Sequence, residues 1–166
     1  MKHSRSITLI VIALFASPCR AHLPSSSTLT MDLTDGTSEC TWTVSLSVLD
    51  DAFILDVDAD GKISAAEWRS AEETVRREVA AGLVVMAGET KLPLTVREIT
   101  LDRTTPSPGV TVKISWRNES GGVPFRITGN LLTGVDPLHR VILRVTKDGR
   151  TQTRVLHDGS RTADLP

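Results

Sequence analysis

Between positions 56 and 67, six residues place oxygen donors at a spacing suited to one hard cation: Asp56, Asp58, Asp60, Lys62, Ser64 and Glu67. Calcium takes about 6–8 oxygen ligands. Asp56, Asp58 and Asp60 each offer one carboxylate oxygen, provided the chain turns sharply enough to aim all three at a single point. Gly61 supplies that turn, because it lacks the Cβ that penalises left-handed backbone. Lys62 contributes its main-chain carbonyl, which leaves its cationic side chain free to point outward. Ser64 ligates directly or through a water, and Glu67 closes the shell with both oxygens. Four carboxylates in so short a stretch repel one another unless a cation sits between them.

The run Asp56–Glu67 fits the twelve-residue calcium loop of an EF-hand at each diagnostic position, including apolar Ile63 between Lys62 and Ser64. Ser64 and Glu67 also read as a capping box, which starts a helix without any metal. A capping box alone does not require the upstream Asp-x-Asp-x-Asp-Gly. A loop of this kind needs a helix on each side, and the hand is expected over about 47–82. Ser47 is expected to cap an entering helix from Val48 to about Leu55, with Val48, Leu49, Ala52 and Phe53 on one side. The exit helix is expected from Ala65 to about Ala81, ended by Gly82. Trp68, Ala71, Val75 and Val79 form its inward stripe. Glu72 with Arg76, and Glu73 with Arg77, are its expected outward i,i+4 pairs.

The chain has 166 residues, which suits one domain, and its formal charge of −1 argues against a nucleic-acid partner. Residues 1–21 read as a signal peptide. Lys2 and Arg5 precede an apolar run from Ile7 to Ala16, and Cys19-Arg20-Ala21 places small residues where cleavage needs them. Removing these residues takes away Lys2, Arg5 and Arg20 but no acid. The expected mature chain, 22–166, then holds 16 basic and 20 acidic residues, a net of −4. Cys40 remains as its one cysteine, so an internal disulfide is not available, and it is expected in the core. No later stretch is apolar enough to span a bilayer. The expected location is therefore exported, periplasmic or secreted, after cleavage near Ala21.

Elsewhere the period is that of strands. Leu29, Met31 and Leu33 alternate, Asp35-Gly36 marks a tight turn, and Trp42, Val44 and Leu46 return, giving a hairpin over 28–46. Further strands are expected at 83–87, 91–94, 96–101, 110–116, 125–132, 141–145 and 152–156, with turns at Gly88-Glu89, 118–123 and Asp148-Gly149. The face of 96–101 is mixed, since Val96 opposes Ile99 and Leu101 in a strict alternation. These elements predict a mainly β, α+β fold: a β-sandwich of about nine short strands with one EF-hand inserted.

The mature chain resembles the extracytoplasmic N-terminal domain of HupE/UreJ-family membrane proteins, which are hydrogenase and urease accessory proteins. The resemblance rests on Ala21-His22-Leu23-Pro24, on Leu49-Asp50 leading into the Asp56–Glu67 loop, on Asp136-Pro137-Leu138-His139-Arg140, and on Val155-Leu156-His157-Asp158-Gly159. It stops where those proteins begin a multi-helix membrane domain. It implies a soluble extracytoplasmic module and a membrane protein as a possible partner. The family's handling of nickel and other metals belongs to its membrane part and does not carry over.

Asp136, His139 and Arg140 form a second polar cluster, read here as a turn before a strand, with Asp136 pairing with Arg140 or capping local amides. His22, as a new N-terminus, could chelate copper together with His139 or His157. Trp42, Trp68 and Trp116 are expected in the core. No nucleophile triad, phosphate loop or zinc spacing stands in the sequence, so an enzyme is not expected. The expectation is calcium binding by an exported single-EF-hand module with a structural or protein-interaction role. The alternative is an accessory protein for nickel or copper with a membrane partner.

Overall fold

The computed structural model describes residues 25–33, 36–118 and 123–165. The expected signal peptide with Cys19, His22, the tip of the first hairpin and most of the expected turn at 118–123 lie outside them. The elements in chain order are β1 (Ser26–Asp32), β2 (Gly36–Ser45), α1 (Leu46–Phe53), α2 (Ala65–Gly82), β3 (Leu83–Ala87), β4 (Thr90–Lys91), β5 (Thr95–Asp102), β6 (Gly109–Asn118), β7 (Phe125–Gly129), β8 (Arg140–Lys147), β9 (Arg150–Leu156) and β10 (Thr162–Leu165). The fold is mainly β with two helices. A six-stranded sheet has the order β5-β6-β2-β1-β8-β9, and a four-stranded sheet the order β10-β7-β3-β4.

The alternation seen in the sequence becomes rows of side chains running across the large sheet. Register places Ile99, Val112, Trp42, Leu29 and Leu143 in one row, and Val96, Ile114, Cys40, Met31 and Val145 in the next. The small sheet answers with Leu83, Val85, Phe125, Ile127, Ala163 and Leu165, and both sets belong to one core. The sheets meet closely at Gly129 of β7, where a Cβ would lie 2.8 Å from Leu156 Cδ1 on β9. Trp42, Trp68 and Trp116 are all in this core, as is Cys40. Burial in apolar surroundings pushes the Cys40 thiol far above its usual range.

The structure departs from the sequence expectations in local ways. The mixed face of β5 is resolved by a register shift between Val96 and Glu98. Arg97 and Glu98 are both exposed there, so Val96, Ile99 and Leu101 share the inner face. The expected strand 91–94 shrinks to Thr90–Lys91, because Pro93 lacks the donor that a ladder needs. The strand expected to reach Leu132 ends at Gly129, and Leu132 turns with φ 60°. β10 was not anticipated; its four residues pair with β7 from Thr162↔Thr128 to Leu165↔Phe125. Asp148 and Gly149 both have positive φ, as a tight hairpin turn requires.

Both helices are attached to the sheet framework. α1 packs against β2 and β6, and α2 against β5 and β3. Trp68, Ala71, Val75 and Val79 are buried as the stripe predicts. Full burial of Val75 and Val79 contributes about 1.5–3 kcal/mol each. Of the expected outward pairs, Glu72–Arg76 forms at 3.4 Å. Glu73 instead approaches Arg76 at 3.6 Å, and Arg77 donates to Thr74 Oγ1.

Candidate metal centre

The loop is held first by its entering helix. α1 begins two residues earlier than its spacing predicts, with Ser45 rather than Ser47 at the N-cap, accepting from Val48 N. Leu46 N donates to Pro108 O, which ties this end to the loop before β6. The helix stops at Ile54, whose φ of 53° is left-handed. One oxygen of Asp50 then accepts from Leu55 N at 2.7 Å and Asp56 N at 2.9 Å. Asp50 therefore fixes the first ligand position from the helix. Sequence spacing did not single it out, although Leu49-Asp50 stood in the family resemblance.

From Asp56 the backbone wraps around its own carboxylates. Asp56 accepts from Asp60 N at 3.1 Å and from Gly61 N at 2.8 Å. Asp58 accepts from Asp60 N, and Asp60 accepts from Lys62 N at 2.8 Å. Ala59 and Gly61 take left-handed φ of 58° and 80°. The result brings one carboxylate oxygen from each of Asp56, Asp58 and Asp60 within 4.8 Å of the others. Asp58 accepts the Asp60 amide, which favours its charged form. The charges of Asp60 and Glu67, with some desolvation, outweigh this and raise its pKa above the usual value.

Ser64 and Glu67 form the capping box. Glu67 N donates to Ser64 Oγ, and Ser64 N donates to Glu67 Oε2 at 2.7 Å. The other oxygen, Oε1, accepts from Val57 N at 2.8 Å, joining the two ends of the loop. The Ser64 amide and hydroxyl, then the Val57 amide, hold the Glu67 carboxyl below its usual pKa. Glu67 stands outside the group of three converging oxygens. Each carboxylate oxygen has two lone pairs, so an amide partner leaves one free for a cation. The donor set suits a hard cation on two counts: the oxygens are hard, and the carboxylates of Asp56, Asp58 and Asp60 converge. Lys62 is exposed, and its amide donates to Asp60.

The far side of the loop leans on the β framework. Ile63 is half-buried against the core, and Arg103, just beyond β5, donates to Ser64 O at 3.3 Å. An open cleft of about 700 Å³ lies between the loop and residues 103–108, with Ile63, Arg103 and Pro106 among its lining.

No protein-family model matches the chain, and neither does any curated protein sequence. Among the described residues no helix is long and apolar enough to cross a membrane.

The second cluster is a buried clasp that residue spacing did not anticipate. His139 is fully buried. Its Nδ1 lies 2.7 Å from Ser25 Oγ and its Nε2 2.9 Å from Ser27 Oγ. Ser25 Oγ donates to Asp136 Oδ2. With that hydroxyl proton committed, Nδ1–H must donate to Ser25, so Nε2 accepts from Ser27. Asp136 Oδ1 caps Leu138 N at 2.9 Å, as the turn reading expects. The arrangement ties the start of β1 to the turn that feeds β8. In it the His139 ring donates to Ser25 Oγ and does not accept that hydroxyl's proton, as a base activating a nucleophile would.

Proposed function

We propose that this protein binds one calcium ion through Asp56, Asp58, Asp60, the Lys62 carbonyl, Ser64 and Glu67, in a single EF-hand carried on a β scaffold. The observation that carries this reading is the convergence of three carboxylates within 4.8 Å on a loop with EF-hand spacing. The site acts as a clamp rather than a sensor, because the apolar stripe of α2 is already buried against the sheets. The module works after export and binds rather than catalyses. Nickel or copper handling is the weaker reading, since both ring nitrogens of His139 are engaged by serines.

Calorimetric titration tests the assignment. One calcium per chain is expected, with a dissociation constant of about 10⁻⁵ to 10⁻³ M. The double variant Asp56→Ala, Glu67→Ala is expected to lose binding. Unchanged binding in that variant refutes the site, and tighter binding of nickel or copper than calcium refutes the choice of ion.

A further inference from the structure

We propose that the free edge of β9 docks an extended acidic segment of a partner protein, added to the large sheet as a further strand. β9 pairs with β8 on one side, and among the described residues no strand pairs with its other side. The opposite edge, β5, has α2 packed against it. The edges of the small sheet are short, two residues in β4 and four in β10, whereas β9 runs for seven.

The side chains of β9 give the edge its chemistry. Residues directly opposite in an antiparallel pair point to the same face. Arg154 lies opposite buried Leu143, Gln152 opposite buried Val145, and Arg150 opposite Lys147. Each therefore continues a core-side row, yet Arg150 and Arg154 are exposed. The apolar row of Leu29 and Leu143 ends here in Arg154, that of Met31 and Val145 ends in Gln152, and beyond them Arg150 faces Lys147. Val145, Lys147, Arg150 and Gln152, with Asp148 beside them, line an open hollow of about 460 Å³. Among the described residues Lys147, Arg150 and Arg154 form no ion pair with a carboxylate. Arg154 donates to Thr153 O and Gln152 Oε1. On the other face Val155 is 47% exposed, opposite half-buried Ile142.

Charged edge strands ordinarily guard against self-association. That role fits here too: a second β9 laid antiparallel would bring two further arginines onto the same edge. The same cations favour a strand with carboxylates on the core side and apolar side chains beside Val155. Main-chain pairing would supply affinity, and the alternating side chains specificity. An anionic polysaccharide or lipid surface offers the charge but no backbone to pair.

The test uses the full chain and a short peptide of alternating glutamate and valine, followed by calorimetry and by NMR of backbone amides. One peptide per chain is expected to bind, protecting β9 amides from exchange and weakening as salt rises. Arg150→Glu with Arg154→Glu is expected to weaken binding by at least about tenfold. Arg150→Gln with Arg154→Gln, which keeps the strand polar, is expected to fall between. A peptide N-methylated at alternate amides keeps its charge but cannot pair, and is expected not to bind. Equal binding by the methylated peptide, displacement of exchange protection away from β9, or absence of binding overturns the proposal.

Discussion

Replacing Asp50 by alanine tests whether the metal loop is prepared by α1 before any cation arrives. One Asp50 oxygen holds Leu55 N at 2.7 Å and Asp56 N at 2.9 Å. A hydrogen bond to a charged group contributes about 1.5–3 kcal/mol. Asp50 is half-buried, so the lower figure applies to each bond. Asp50→Ala is then expected to lower stability by about 3 kcal/mol. It leaves every proposed ligand in place but frees the backbone at the first one. Ordering one residue costs about 1–2 kcal/mol, and about 1.4 kcal/mol is a factor of ten in affinity. Calcium affinity should therefore fall about tenfold. Asp50→Asn keeps an acceptor oxygen and loses the charge, so it should lose part of the stability and little affinity. Calcium calorimetry on the three proteins, with urea unfolding in chelator, reads both quantities. If Asp50→Ala is destabilised while its calcium affinity is unchanged, the helix does not prepare the loop. If Asp50→Asn binds as poorly as Asp50→Ala, charge and not the pin is responsible.

Other outcomes follow from single positions. Gly61→Ala places a methyl where nothing lies within 4 Å, but at φ 80°. The cost is conformational, about 1–2 kcal/mol, and calorimetry should show calcium binding weakened about tenfold. Ile54 holds a left-handed φ while 75% exposed, so Ile54→Asn gives up little burial. Urea unfolding should find it more stable by about 1 kcal/mol, and a loss of stability would show that the isoleucine side chain has a contact role. Burial holds His139 below its usual 6.5, opposed in part by the charge of Asp136. The fold therefore prefers the neutral ring: its contribution is full above 6.5 and is lost as pH falls from there toward the lowered folded value. His139→Gln should flatten the dependence of the urea midpoint on pH in that window. Calcium should leave the fluorescence of a hydrophobic dye nearly unchanged, since the stripe of α2 is covered; a large rise would make the hand a switch.

What was legible in the sequence was what local chemistry dictates. Metal coordination demands a fixed ligand spacing, so the run from Asp56 to Glu67 stood out as a candidate loop, and a half-buried sheet forces alternation, so most strands could be placed. Bounds failed where a distant partner decides them. Ser45 and Ser47 are equally good caps by residue type, and the Leu46–Pro108 hydrogen bond favours the first. The β5 face looked mixed because a bulge cannot be told from poor alternation without its partner β6. β10 was too short to show a period. The clasp at His139 joins residues more than a hundred positions apart, and no local pattern marks Ser25 or Ser27 as its partners.

The position of β1 sets an order on how the chain assembles. It lies between β2 and β8, with Ser26 opposite Arg140 in parallel pairing. Its hairpin partner follows at once, but its second neighbour comes from near the other end of the chain. A ribosome adds about 5–20 residues per second, so β1 waits roughly 6–20 s for β8 to be made. Through that interval it is an edge strand bearing Leu29 and Met31, with half its ladder groups unpaired. Pairings this distant raise contact order and slow folding. The large sheet therefore cannot close before β8 is made, and chains ending before Arg140 leave β1 as a raw edge open to misassembly.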